Sequence, residues 1–165
     1  MAEGEENFLP KICRYNRAFP RNLRGGGTMH NGEHRGHHHA AQPLIAVIDD
    51  DDAVRAALSN LLHSAGYATC CFESAEAFLA GDCLRTARCA IMDVRLSAMS
   101  GFELKQHLTG LQITLPAIFI SGNVSPAERA RAIALGAVAF LCKPINADIL
   151  LTYIKRVVAH SGEQE

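Results

Sequence analysis

The stretch Leu44-Ile45-Ala46-Val47-Ile48-Asp49-Asp50-Asp51-Asp52 decides the fold. An apolar run that stops abruptly at a row of carboxylates reads as a short strand buried on both faces. Its C-terminal end gathers several negative charges in one small volume, where each raises the pKa of the others unless a cation or ligand compensates. Acidic runs are usually solvated faces. This one lies between a strand and a helix, where open α/β sheets place their ligand sites. The remaining sequence has to choose between these readings.

Working outward, strand and helix patterns alternate from Pro43 onward. Val54, Leu58, Leu61, Leu62 and Ala65 recur at helical spacing, and Gly66 follows as a C′ residue. Tyr67 to Phe72 reads as a second strand, and Ser74 caps a helix through Leu79 with Glu76 in its first turn. Cys89-Ala90-Ile91-Met92 is a third apolar run, also ending in a carboxylate, Asp93, and a helix from Phe102 to Leu108 follows. Leu115 to Ile120 is the fourth run, ending at Ser121-Gly122. Ser125-Pro126-Ala127-Glu128 combines a capping box with proline at the first helical position, and that helix should stop at Gly136. Val138 to Cys142 is the fifth strand, ending at Lys143-Pro144. Asn146 caps a last helix whose apolar stripe holds Ile149, Leu150, Tyr153, Ile154, Val157 and Val158.

Buried strands alternating with helical crossovers predict a parallel sheet covered on both faces. Right-handed crossovers leave few topologies, and a flavodoxin-like doubly wound α/β fold, a (βα)5 sheet with strand order 2-1-3-4-5, fits the size.

Composition narrows the function classes. The chain has 165 residues, 48% hydrophobic and 20% charged, with a net charge of −1, so no global basic field draws it to nucleic acid. Residues 1–43 carry six Lys/Arg and four Asp/Glu, and the remainder carries ten and thirteen. The six cysteines form no C-x-x-C pair, and Met1 to Glu6 lacks the features of a secretory signal, so the expectation is a reduced, cytoplasmic protein. No apolar run approaches the roughly 20 residues that span a bilayer. Residues 1–42 have no strand or helix period and hold Gly25-Gly26-Gly27, scattered arginines and a cluster of His30, His34, His37, His38 and His39. This is the composition of a disordered extension, more readily an incidental polar tail than a metal site, and Met29 is an alternative start. After His160 only the tail 161–165 remains, too short for a helix-turn-helix output module. The expectation is a stand-alone domain over residues 43–160, or a fragment of a longer regulator.

The residues that end each strand carry the chemistry. Strand one ends in Asp49-Asp50, strand three in Asp93, strand four in Ser121 and strand five in Lys143. In a doubly wound sheet these ends share one edge. Clustered carboxylates suit a hard cation such as Mg²⁺, and a lysine and a hydroxyl suit phosphoryl oxygens. Together they form an apparatus for phosphoryl transfer, in which a carboxylate can be the nucleophile. No Walker-type glycine loop is present, so the phosphate donor is not expected to bind as a nucleotide.

At these residues the chain resembles the receiver domain of two-component response regulators, particularly receivers of the nitrogen-fixation regulator type. The motifs that carry the resemblance are Val47-Ile48-Asp49-Asp50-Asp51 with Val54-Arg55, Ser74-Ala75-Glu76-Ala77-Phe78-Leu79, Met92-Asp93-Val94-Arg95-Leu96 with Met99-Ser100-Gly101, Ile120-Ser121-Gly122, Ala134-Leu135-Gly136-Ala137 and Phe140-Leu141-Cys142-Lys143-Pro144. The resemblance implies that Asp93 accepts phosphate from a phosphohistidine on a sensor kinase or phosphotransfer protein. It implies that Asp49, Asp50, Asp93 and the backbone carbonyl of Arg95 hold Mg²⁺, and that Ser121 and Lys143 meet the phosphoryl group. Phe140 matches an aromatic switch that turns inward as Ser121 moves, reshaping a surface for a downstream protein or for a phosphorylation-dependent homodimer. Pro144 implies a cis peptide. Such a module is not an enzyme in the ordinary sense, and neither direct nucleic-acid binding nor a membrane is implied.

One departure stands out. Where the family usually has Leu/Met-Pro-Asp/Gly-Met, this chain has Leu96-Ser97-Ala98-Met99, which should loosen the loop near the metal. Cys142, beside Lys143, reads as a small apolar strand end rather than a redox group. An aspartyl-phosphate hydrolase and a phosphorylation-independent interaction module are the competing functions. The hydrolase would need a second acid/base near Asp93, and none is evident beyond the metal pair.

Spacing to Arg55 divides the acidic run. The second aspartate of the family pair precedes the arginine by five positions, as Asp50 does here, which leaves Asp51 and Asp52 to open the helix. Asp50→Ala should therefore abolish Mg²⁺-dependent phosphorylation while Asp52→Ala leaves it nearly intact, read by intact mass after treatment with an acyl phosphate. Equal behaviour of the two variants would mean that the register is wrong.

Overall fold

A computed structural model describes residues 41–160. The histidine cluster, Cys13 and the short C-terminal tail lie outside the described residues. Strands β1 (Leu44–Ile48), β2 (Ala68–Phe72), β3 (Cys89–Asp93), β4 (Ala117–Ser121) and β5 (Ala139–Cys142) alternate with helices α1 (Asp52–Ser64), α2 (Ala75–Leu79), α3 (Gly101–Gly110), α4 (Pro126–Ala134) and α5 (Ala147–His160). All four strand pairings are parallel, and the sheet order is β2-β1-β3-β4-β5, as the alternation predicts.

The apolar runs are continuous because each strand feeds two cores. Along β1, Ala46 and Ile48 join one cluster while Ile45 and Val47 join the other, and the same alternation divides β3 and β4. The first cluster is covered by Phe78 of α2, Phe102, Leu104 and Leu108 of α3, and Ala132 of α4. The second is covered by Leu58 and Leu62 of α1 and by Leu150 and Ile154 of α5. Helices on both faces of a parallel sheet are what satisfies strands that are apolar on every residue.

Helix starts follow the side-chain chemistry. Asp51 is the N-cap of α1, its carboxylate accepting from the Ala53 and Val54 N–H groups, and Asp52 is the first helical residue. Ser74 caps α2 by accepting from the Ala77 N–H. Ser125 and Glu128 form the expected capping box with Pro126 in the first turn, and Ser100 and Glu103 form a second one on α3. Asn146 caps α5 through the Ile149 N–H. The helices α1 and α4 are followed by glycines at φ +88° (Gly66) and +69° (Gly136), conformations that side chains rarely adopt.

Several boundaries differ from expectation. β4 begins at Ala117, not Leu115, because Pro116 has no N–H to give the ladder, although its carbonyl still accepts from the Ala90 N–H. β2 and β5 each begin one residue later than expected, and α3 extends a residue earlier and two later. A short 3₁₀ turn, Asp82–Arg85, follows α2 and was not anticipated; four residues are too few to show a period. Cys142 closes β5, as expected of it, and is exposed there.

Phe78 is fully buried and packs edge-on against Phe72, ring centroids 5.3 Å apart. Phe78→Ala should cost about 3–5 kcal/mol of folding stability, measured by urea unfolding, with the sheet topology retained. A loss below about 1 kcal/mol would mean that α2 is not anchored through this ring.

Candidate functional site

The parallel sheet brings the C-terminal ends of β1, β3, β4 and β5 to one edge, and the chemistry-bearing residues follow them there. Asp49, Asp50 and Asp93 can each offer a carboxylate oxygen, all within 4.8 Å of one another. Asp49 and Asp93 are buried and Asp50 is exposed. Lys143 reaches between the buried pair: its Nζ donates to Asp49 Oδ2 at 2.8 Å and to Asp93 Oδ2 at 2.6 Å. The remaining oxygens of the pair are also held. Asp49 Oδ1 accepts from the Asp51 N–H at 2.9 Å, and Asp93 Oδ1 from the Arg95 N–H at 2.7 Å.

The electrostatics follow from this geometry. Burial pushes the Asp49 carboxyl above its ordinary value of 3.8, and facing Asp93 adds to this, while the bonds from Lys143 and the Asp51 N–H oppose it. Burial works against the Lys143 charge, but its bonds to Asp49 and Asp93 outweigh that and hold its pKa above the ordinary 10.5. One ammonium faces three carboxylates, so the site stays short of positive charge. A cluster of hard oxygen donors with an uncompensated negative charge fits a divalent cation such as Mg²⁺.

Ser121, at the end of β4, is fully buried; its hydroxyl donates to the Asn123 carbonyl at 2.7 Å and accepts from the Asn123 N–H. Lys143 follows β5 and joins Pro144 through a cis peptide bond. Phe140, on β5, is half-buried, its ring edge-on to Phe102 at 6.1 Å and to Phe119 at 6.4 Å. The inward turn expected of it therefore starts from a ring already in contact with core aromatics. Arg95 lies on the surface, its guanidinium 3.7 Å from Glu128 at the start of α4.

Some supporting residues escaped the sequence reading. Arg55, used there only to set the register, donates to the Asp49 carbonyl oxygen and pairs with Asp52. Glu76 was read as a helix-dipole residue, and its carboxylate accepts from the Met99 N–H at 3.2 Å. Ser97 donates to Asp50 at 3.3 Å. Gly101 leaves no room for a side chain: a Cβ there would lie 2.3 Å from the Asp93 carbonyl oxygen. Its place in Met99-Ser100-Gly101, directly after the capping serine, was the one available signal. Among the described histidines, His63 bonds Thr69 and His160 bonds the Arg156 carbonyl, and the described cysteines are unbridged.

A family model described as "Response regulator receiver domain" matches residues 45–155. The chain belongs to that family. It is 37% identical over 131 residues to the response regulator protein TmoT of Ectopseudomonas mendocina, covering 79% of this chain and 60% of that protein. It is 36% identical over 114 residues to the transcriptional regulatory protein FixJ of Bradyrhizobium diazoefficiens, covering 69% and 56%. The chain thus spans little more than half the length of these relatives. Among solved structures it superposes on the response regulator StyR with a TM-score of 0.69 at 35% identity, over 75% of this chain and 63% of that one. The FixJ-N crystal structure gives 0.65 at 32% identity, over 73% and 97%. Receiver domains are phosphoacceptor signalling modules of two-component systems, and this one has their fold and strand order. Among the described residues no helix is long and apolar enough to cross a membrane.

Lys143→Gln removes the charge that opposes the upward shift of Asp49. A carboxyl whose folded pKa lies above 3.8 lowers stability as pH rises from 3.8 through the folded value, and the variant should lose more across that window than the wild type. Urea unfolding should show the variant's deficit larger at neutral pH than in acid; an equal deficit at both would mean that Lys143 does not neutralise Asp49.

Proposed function

We propose that Asp93 is the phosphoacceptor of this receiver, taking its phosphoryl group from a phosphohistidine on a sensor histidine kinase or phosphotransfer protein. The observation that carries the reading is the placement of Asp93 at the centre of the site. It is buried, adjacent to two further carboxylates and bonded to Lys143 at 2.6 Å. An Asp93 carboxylate oxygen forms the bond to phosphorus as the phosphorus–nitrogen bond breaks, and the electron pair stays on the departing imidazole nitrogen.

Asp49, Asp50, Asp93 and the Arg95 carbonyl would hold Mg²⁺, which when bound supplies neutralising charge for phosphoryl oxygens. Lys143 is within one side-chain movement of those oxygens, since it already touches the nucleophile. The Ser121 hydroxyl exchanges its bond to Asn123 for one to the phosphoryl group, and Phe140 moves in response. Partner binding then changes on the surface formed by α4, β5 and α5, in favour of a downstream protein or a second copy. Beyond Asp49, Asp50 and Lys143, which this reading assigns to the cation and the phosphoryl group, no candidate for the second acid/base of a hydrolase bonds Asp93 among the described residues: its remaining bond is to the Arg95 N–H.

The chain incubated with Mg²⁺ and acetyl phosphate should gain the mass of one phosphoryl group, and Asp93→Asn should not. A Mg²⁺-independent adduct, or one that survives Asp93→Asn, would overturn the assignment. Sustained turnover of unrelated phosphate esters would favour the hydrolase instead.

A further inference from the structure

The three carboxylates of the site are not held equally. Asp49 and Asp93 each have both oxygens engaged, by Lys143 on one side and by a backbone N–H on the other. Asp50 is exposed and has neither. Among the described residues the one group hydrogen-bonded to its side chain is the Ser97 hydroxyl, which donates to Oδ2 at 3.3 Å. Ser97 stands where the family usually has proline, a residue that offers no donor at all.

Ser97 is itself on a restrained segment. Past it, the Met99 N–H is held by the Glu76 carboxylate at 3.2 Å, the Gly101 N–H bonds the Val94 carbonyl, and Ser100 caps α3. The hydroxyl is thus presented from a loop tied at both ends, across the mouth of the site, to a carboxylate on the opposite loop. A bond to one oxygen of a carboxylate fixes the direction of the other, and outer partners of this kind set how well a ligand presents itself to a metal.

We propose that Ser97 is a positioning residue for divalent-cation binding: its hydroxyl orients the otherwise unrestrained Asp50 carboxylate toward Asp49 and Asp93. The inference rests on the reading of those three residues as Mg²⁺ ligands. The side chain does not touch the phosphoryl group. Its effect lies in the concentration of Mg²⁺ the protein needs, not in the rate once Mg²⁺ is saturating.

The test is titration of the full chain with MgCl₂ by isothermal calorimetry, with acetyl phosphate labelling run at low and at saturating Mg²⁺. Ser97→Ala should weaken the Mg²⁺ dissociation constant by about 10-fold and slow labelling at low Mg²⁺, while the rate at saturating Mg²⁺ stays at the wild-type value. Ser97→Thr, which keeps the hydroxyl, should restore the affinity. Urea unfolding without Mg²⁺ should be the same in all three proteins, which excludes a general loss of structure. A Ser97→Ala constant within about twofold of wild type, or a Ser97→Thr variant as weak as Ser97→Ala, would overturn the proposal and leave the Mg²⁺ reading standing. Failure of the wild-type chain itself to bind Mg²⁺ would overturn both.

Discussion

The Lys143 ammonium, shared between Asp49 and Asp93, is the contact around which the site edge of the sheet is arranged. Two carboxylates buried side by side at the ends of adjacent strands repel, and burial already raises Asp49. A cation from a third element offsets this. It comes from the far side of the sheet, since β4 lies between β3 and β5. The long lysine stem spans that distance from just past β5, beside the end of β4 at the small residue Ser121. The strand order and the long cation after β5 therefore go together. The balance is incomplete: three carboxylates share one ammonium, a donor set that suits a divalent cation.

Arg95 extends this arrangement to the outer surface. Its N–H holds one oxygen of Asp93, and its guanidinium reaches Glu128, a member of the capping box that starts α4. α4 buries only Ala132, so apolar packing does little to fix it. Its other tie is Arg131, which lies 5.0 Å over the Phe102 ring and bonds Gln106. Phe102 in turn meets Phe140 and Phe119. An element held by a few exposed polar contacts shifts at smaller cost than one held by a core face. Arg95 therefore links Asp93 to the start of α4, and Arg131 links α4 to the aromatic cluster of Phe102, Phe119 and Phe140.

How much of this could be read from residues alone depended on whether the signal was local. Strand ends were legible because a parallel α/β sheet has a single C-terminal edge, so Asp49, Asp93, Ser121 and Lys143 converge whatever their separation in sequence. The division of the acidic run was legible from the family spacing of Asp50 to Arg55, and the local capping of the Ala53 and Val54 N–H groups by Asp51 agrees with it. Contacts between loops were not legible. Glu76 gave a sound local reading as a first-turn carboxylate, and nothing near it in sequence points to the Met99 N–H. Arg55 and Ser97 act on Asp49 and Asp50 through side-chain geometry that exists only after β1 and β3 pair.

The loop after Asp93 is ordered by contacts of this second kind. Losing the usual proline predicts a looser loop, since a ring-restricted φ is lost. The structure supplies other restraints instead: Ser97 to Asp50, Glu76 to the Met99 N–H, the Gly101 N–H to Val94, and the Ser100–Glu103 capping box. The two kinds of restraint differ physically. A proline ring limits the backbone regardless of what the carboxylates bind. A hydroxyl bonded to Asp50 ties the loop to that carboxylate, and two residues past Met99 the chain at Gly101 runs close against the Asp93 carbonyl. The Ser97 hydroxyl thus joins the loop to a side chain of the acidic cluster, a contact that a proline in the same position could not make.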